Sequence, residues 1–336
     1  MGAASPVQDL RFCIQDAYWA DFVNYFAYAR TALKYGLQHL RLNPNDYVLL
    51  PDYICDVVLH PMTQLGIKYK YYAINDNLNP NWDELENIVD ETTKAILMVH
   101  YFGQPQDIKR FQMFCKEHNL LLIEDNAHGH GGRYNGKQLG TFGDMGISSP
   151  RKTLNTFSGG GLWLKDKKFE STSDHLTYPV SLIKRINRRL SITNPALRNF
   201  IKKPLKKRPR YENPRAFKEP ELPDYAIDSR SAGIIEHTNW NDMRKFRQET
   251  YHYWQYFAID NNLTPVFEKL HPEANPWCFP AYARDQQEAI KWFDWGWENN
   301  VRVSSWPSLP VEVLDKHGAS YNRWKKLICF GIERYV

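Results

Sequence analysis

L-L-L-I-E-D-N-A-H-G-H-G-G (120–132) decides how this chain is read. The four apolar residues at 120–123 read as a buried strand, and the polar, glycine-rich residues behind them end it. Outward from that segment the same alternation repeats. Y-V-L-L (47–50), I-K-Y-K-Y-Y-A (67–73) and A-I-L-M-V (95–99) read as further strands. Between them, residues 55–65, 82–89 and 108–118 place apolar side chains at three- and four-residue spacing, as helices do. N-P-N-D (43–46) is a turn, and N-P-N-W-D-E-L (79–85) is a helix entry with acids in its first turn. Strand–helix alternation implies right-handed crossovers and a mainly parallel sheet covered on both faces. Sites in such sheets lie at the carboxyl ends of strands, where His100 and Asp125 fall.

Composition limits the rest. A chain of 336 residues holds one large domain and a smaller one, and 43% apolar with 24% charged residues is ordinary globular usage. The formal charge of +5 has a local origin: residues 184–210 carry eleven Lys and Arg and no acid, and without them the remainder is −6. That argues for a local anionic partner and against nucleic acid. The five cysteines are scattered without a C-x-x-C pair, which fits a reducing compartment, the cytoplasm being the simplest. M-G-A-A-S-P has no apolar run of signal-peptide length, and no stretch is long enough to span a bilayer. After about residue 166 the chain turns rich in Pro, Lys and Arg. A helical run resumes at 228–254, and W-C-F-P-A-Y-A (277–283) with Q-E-A-I-K-W-F (287–293) suggests a small α+β domain. The expected division is a large domain over 1–224, with 184–210 as a basic insertion, and a small one over 225–336.

Asp125 and Lys152 carry the chemistry. Lys152 stands 27 residues beyond Asp125, in D-M-G-I-S-S-P-R-K-T-L (144–154), ahead of glycines 159–161 and a strand G-L-W-L-K (161–165). An acid at one strand end and a lysine in the loop after another are what a pyridoxal phosphate enzyme requires: the acid keeps the ring nitrogen protonated and the amine forms the Schiff base. The plain alternatives are a solvated lysine among 43 cationic residues and an Asp-Asn turn closing a strand. Glu124 should point to the opposite face of its strand. A metal held by His100, Asp125, His128 and His130 is the minority reading, since H-x-H without a further ligand at motif spacing is a poor signal, so no metal is expected. His130 reads as structural.

Five segments in order resemble the DegT/DnrJ/EryC1/StrS family of sugar-nucleotide aminotransferases: A-R-T-A-L (29–33), V-L-L-P-D-Y-I-C (48–55), V-H-Y-F-G-Q-P (99–105), E-D-N-A-H-G-H-G (124–131) and S-S-P-R-K-T-L (148–154). Each is weak alone; five at workable spacing are specific. The resemblance runs from Tyr28 to Leu164 and is sparse afterwards. It implies a fold-type-I, aspartate aminotransferase-like α/β architecture and pyridoxal 5'-phosphate (PLP/PMP) as cofactor. Lys152 becomes the Schiff-base lysine and proton shuttle, Asp125 the partner of the ring nitrogen, and His128 the residue beside the ring or its phenolic oxygen. Arg30 and Thr31, at a helix start suited to an anion, with Ser149 or Ser148, take the phosphate. Tyr53 is the candidate for stacking on the ring, although strict alignment puts Cys55 there. His100 and Arg230 are the substrate-side candidates.

The implied activity is transfer of an amino group, from glutamate, to a nucleotide-linked keto sugar for surface polysaccharide or glycoconjugate biosynthesis, by a cytoplasmic homodimer. The alternatives are a non-sugar enzyme of the same fold and a catalytically silent scaffold or membrane-surface protein. A retained Lys152 speaks against the sugar dehydratase branch, where histidine replaces it. The stretch 184–210 could hold a substrate diphosphate, lie on an anionic membrane as a peripheral contact, or be a solvated face. Two departures from the family stand out. Its G-x-N-x-R motif is reduced to Y-A-I-D-S-R-S (225–231), and I-E-R-Y-V closes the chain short of the usual tail.

Overall fold

A computed structural model describes residues 24–166, 175–181, 211, 223–306 and 308–332. The whole of the basic stretch 184–210 therefore lies outside the described residues.

The architecture is α/β, as expected. Among the described residues seven strands form one sheet: β1 (Asn24–Phe26), β2 (Tyr47–Pro51), β3 (Lys68–Tyr72), β4 (Thr93–Val99), β5 (Leu121–Asn126), β8 (Met145–Ser148) and β9 (Gly160–Leu164), in the order β1-β9-β8-β5-β4-β2-β3. A two-residue hairpin, β6 (Arg133–Tyr134) and β7 (Lys137–Gln138), interrupts the path from β5 to β8. The pairs β2·β3, β2·β4, β4·β5 and β5·β8 are parallel, whereas β9 and β1 join antiparallel. The central strand β4 has every residue from Ala95 to Val99 buried, which is why its sequence is a continuous apolar run. Each large aliphatic side chain buried there contributes roughly 1.5–3 kcal/mol.

Helices cover this sheet: α1 (Ala29–Leu40), α2 (Leu59–Leu65), α3 (Trp82–Ile88), α4 (Ile108–Glu117) and the single turn α5 (Pro150–Thr153). In α4, Asp107 caps the first turn by accepting from the Arg110 N–H at 3.1 Å, and Ile108, Phe111, Phe114 and Cys115 form the buried stripe. The start of α1 lies hard against β9. A Cβ on Gly160 would meet the Tyr28 carbonyl carbon at 2.2 Å and the Ala29 nitrogen at 2.4 Å, so only glycine lets the helix enter there.

The 228–254 run forms two helices rather than one: α6 (Ser229–Glu236) and α7 (Trp240–Asp260). Asn239 separates them, because its side chain accepts from the Asn241 and Asp242 N–H groups and so starts a new helix. Beyond α7, β10 (Thr264–Pro265), β11 (Cys278–Tyr282), β12 (Val303–Ser304) and β13 (Leu327–Gly331) make an antiparallel sheet with α8 (Gln286–Glu298), α9 (Val311–Asp315) and α10 (Ala319–Lys326) around it. That sheet has its own apolar cluster, including Tyr251, Phe279 and Phe330. The main core also reaches it through Leu314, Trp324 and Leu327. Among the described residues no helix is long and apolar enough to cross a membrane.

Candidate active site

β5 sorts two adjacent acids onto opposite faces. Glu124 turns away from the cavity and is consumed structurally: its carboxylate accepts from the Gly140 and Gly143 N–H groups at 2.6 and 3.3 Å and pairs with His100 Nε2 at 2.7 Å. Asp125 turns the other way, into a cavity of about 470 Å³ at the carboxyl end of the sheet. Its Oδ1 accepts from the Ala127 N–H at 2.8 Å, and its Oδ2 has no hydrogen-bond donor among the described residues. Burial raises its carboxyl above the ordinary range, against the opposing pull of that N–H, Lys152 and His100.

Lys152 enters the same cavity from α5. Pro150 starts this turn with its ring-fixed φ, and Ser149 stands at the cap position, buried and lining the cavity. The Lys152 Nζ lies 5.3 Å from the centroid of the Trp277 ring. It also acts electrostatically on Asp125, His128 and Cys55, which places all four around one space.

His128 is 3% exposed and packs between flat neighbours, 4.7 Å from Trp277 and 5.7 Å from Phe102, both near parallel. Its Nδ1 accepts from the Phe102 N–H at 3.2 Å, which makes Nε2 the protonated nitrogen of the neutral ring. Burial, with Lys152 adding to it, holds that ring well below the usual imidazole range. Gly103 makes the packing possible: at φ +91, any Cβ there would lie 2.6 Å from the Asn275 carbonyl and 2.9 Å from that of His128.

The first turn of α1 borders the cavity through Tyr28, Ala29 and Arg30. Arg30 and Arg151 each lie 5.1 Å from the Tyr28 ring centroid, and Arg302 lines the cavity from beside β12. Four cations, Lys152 included, thus line a cavity whose only lining carboxylate among the described residues is Asp125. This is a setting for anions.

Several expectations need correction. Tyr53 is wholly buried, gives its hydroxyl to the Trp306 carbonyl at 2.6 Å and does not line the cavity. Cys55, two residues on, does line it, because the chain bends at residues 52–53 after β2 and so breaks the period-2 alternation that would set 53 and 55 on one side. Cys55 supplies no aromatic face; the aromatic wall comes from His128, Trp277 and Trp306. His100 is also outside the lining, with Nδ1 accepting from the Gln106 N–H at 3.0 Å and Nε2 committed to Glu124. Thr31 is buried behind the first turn, and Ser148 is turned to His130 Nδ1 at 2.6 Å, leaving Ser149 as the hydroxyl at the cavity. Arg230 is exposed on α6, away from this cavity. Among the described residues no three His, Cys, Asp or Glu side chains form a metal-binding group. Trp277, Trp306 and Arg302 were not singled out by sequence; the only signal was aromatic enrichment in W-C-F-P (277–280) and S-S-W (304–306).

A mainly parallel seven-stranded sheet with an acid at one strand end and a lysine on the turn after another defines the fold-type-I architecture of PLP-dependent aminotransferases. Residues 21–185 match the model of the DegT/DnrJ/EryC1/StrS aminotransferase family. A dTDP-4-dehydro-2,3,6-trideoxy-D-glucose 4-aminotransferase of Saccharopolyspora spinosa is 31% identical over 150 residues, 44% of this chain and 39% of the relative. A GDP-4-keto-6-deoxy-D-mannose 3-dehydratase of Yersinia pseudotuberculosis is 34% identical over 105 residues, 31% of this chain and 27% of that enzyme. The chain thus spans well under half the length of these relatives. In fold it is similar to a Streptococcus pneumoniae protein assigned as a sugar aminotransferase and solved in its PLP form, with a TM-score of 0.67 at 16% identity over 93% of this chain and 82% of that one.

Proposed function

We propose that the chain is a PLP-dependent aminotransferase that moves an amino group, from glutamate, to a nucleotide-linked keto sugar used in surface polysaccharide or glycoconjugate biosynthesis. The observation that carries this reading is the convergence of Asp125 and Lys152 on one cavity lined by cations and aromatic rings. The residues suit the cofactor. A buried carboxylate whose Oδ2 has no donor among the described residues suits a cationic N–H, and an anion suits the first turn of α1 with Ser149 and Arg30. When bound, pyridoxal phosphate supplies an aldehyde that condenses with amines and a protonated ring that accepts the electron pair left on a deprotonated carbon.

The chain's own groups do the rest. Asp125 holds the proton at the ring nitrogen, and the same buried setting that raises its carboxyl makes its charge effective once paired. Lys152 takes the proton from the substrate carbon and returns it at the neighbouring position. His128 offers Nε2–H toward the cavity, while Trp277 and Trp306 keep water from the reacting atoms. Arg302 and the hydroxyls of Ser304 and Ser305 face the substrate, and the cation excess suits a diphosphate. The amine at position 152 favours transfer over the dehydratase chemistry of the second relative.

The reading extends to a large domain over 1–224 and a small one over 225–336, and to a cytoplasmic homodimer. The unbridged Cys55, Cys115, Cys278 and Cys329 support a reducing setting. Arg230, exposed on α6, is a candidate only for a neighbouring subunit's site.

Borohydride reduction of the full chain reconstituted with PLP, followed by digestion, tests the assignment. A pyridoxyl mark is expected on the peptide spanning Lys152, and glutamate added beforehand should abolish it. A mark on another peptide, or none, removes the proposal.

A further inference from the structure

We infer that Arg247 is a positioning residue that fixes the Lys152 amine by holding Trp277 and the turn carrying Lys152 in one frame. The inference rests on the reading of Lys152 given above. Arg247 lies in the first half of α7 and is 3% exposed. Its guanidinium donates to three backbone carbonyls: Nε to Pro276 at 2.8 Å, Nη2 to Trp277 at 2.9 Å, and Nη1 to Thr153 at 3.3 Å.

These acceptors come from two segments more than a hundred residues apart in sequence. Thr153 closes α5 directly after Lys152, and its carbonyl is one of those a helix end leaves without an internal donor. Pro276 and Trp277 form the loop that enters β11. A planar fork with five N–H donors in fixed directions can serve three such carbonyls together; an ammonium at the same place cannot match that geometry.

The frame ends at the amine. The Trp277 N–H donates to the Phe102 carbonyl at 2.8 Å, its ring lies parallel to that of Phe102 within 10°, and His128 packs 4.7 Å from it. Held in this way, the indole presents itself 5.3 Å from the Lys152 Nζ, where the ring quadrupole favours the ammonium. Arg247 therefore acts on Lys152 through Trp277 without reaching the cavity itself, since it is absent from the lining. Among the described residues, the amine is also faced by Asp125 from β5, His128 from the loop after it and Cys55 from the loop after β2. Arg30, Arg151 and Arg302 line the same space. None of these changes in the variants below.

The test follows trace labelling of Lys152 by acetic anhydride across pH, in the full chain freed of cofactor with hydroxylamine, with melting curves as a check on folding. R247K keeps the charge and loses the fork. Its labelling profile should move to lower pH, so that Lys152 labels about 2- to 30-fold faster at neutral pH, the range that loss of a cation–π contact allows. W277L should show the same displacement, and R247K/W277L no more than either alone. An unmoved profile in R247K, a rate change uniform across pH, or a double variant equal to the sum of the singles overturns the proposal. If R247K fails to accumulate, W277L decides: a displaced profile supports the proposal and an unmoved one overturns it. Because no cofactor or turnover enters this measurement, its failure is separate from failure of the aminotransferase reading, which borohydride labelling decides.

Discussion

Asp125 is the residue at which function and stability pull in opposite directions. Its carboxyl is raised by burial, so the protonated form persists to higher pH in the folded, cofactor-free chain than in the unfolded one. A group whose folded value lies above its unfolded one contributes stability that is complete below the unfolded value, near pH 4, and lost as pH rises through the folded value. Asp125→Asn keeps an oxygen for the Ala127 N–H and removes the buried charge. The cofactor-free variant should therefore resist urea better than the wild type at pH 7, with the difference closing toward pH 4. Its amino transfer should fall by about 10²–10³, the scale of losing one preorganised electrostatic partner. Turnover at the wild-type rate, or no gain in urea midpoint, would contradict this account. At this scale the sequence was legible wherever a side chain follows directly from strand phase or motif: Asp125, Lys152, His128 and Ser149 all line the cavity. It misled where a loop decides direction. Tyr53 and Cys55 differ by two positions, and the bend at 52–53 after β2 sends the first into the core and the second to the cavity.

Elements were legible in proportion to their periodicity. The strands at 47–51, 93–99 and 121–126 fall where apolar runs placed them, because burial on both faces demands such runs, and the half-buried edge strand at 68–72 falls on its Lys–Tyr alternation. The break between α6 and α7 was missed, since the apolar spacing continues through it and a single Asn cap outweighs that pattern. The three-residue strand β1 was also missed; it is too short to show a period and exists because it pairs with β9. That pairing has a functional side, because β9 seats the first turn of α1 through Gly160. Gly160→Ala would set a methyl within 2.4 Å of backbone atoms of Tyr28 and Ala29, which cannot swing aside as a flexible side chain would. The expected result is a loss of about 1–3 kcal/mol in urea denaturation. PLP should also bind about tenfold or more weakly in a fluorescence titration, since the displaced turn is the one proposed to meet the phosphate. Wild-type PLP affinity in a destabilised variant would separate Gly160 from the anion site.

Across the whole molecule, the cavity depends on a joint that no local pattern announces. Trp306 and Arg302 come from the C-terminal sheet, where family resemblance is sparse, and reach the site only because that sheet is fastened to the larger one. One fastener is Arg323 on α10, 1% exposed. Its Nη2 donates to the Ile74 carbonyl at 2.6 Å, its Nη1 to Ser320 Oγ at 2.9 Å, and its guanidinium lies 5.2 Å from the Tyr53 ring centroid. Tyr53 in turn holds the Trp306 carbonyl, so the error over Tyr53 has a physical meaning: the residue supports the wall instead of forming it. Asp52 sharpens the expectation. Burial raises its carboxyl, while Ser320 and then Arg323 oppose that rise. Arg323→Met removes the cation and the donor to Ile74, leaving a buried carbonyl without that donor and Asp52 with only Ser320 and the Ile74 N–H to oppose its rise. A loss of about 1–3 kcal/mol is expected from the carbonyl alone. The pH dependence follows the acid: with its folded value pushed further up, stability drains as pH rises through that value, so the deficit should be larger at pH 8 than at pH 5. In kinetics the same loosening should raise KM for the proposed sugar nucleotide more than it lowers kcat, because Arg302 is proposed to face the substrate while Asp125 and Lys152 stay on their own elements. Urea titrations at the two pH values and a KM–kcat comparison check both halves. A deficit that does not change with pH would remove Asp52 from the joint, and a fall in kcat at constant KM would show that the fastener serves the proton-moving residues instead.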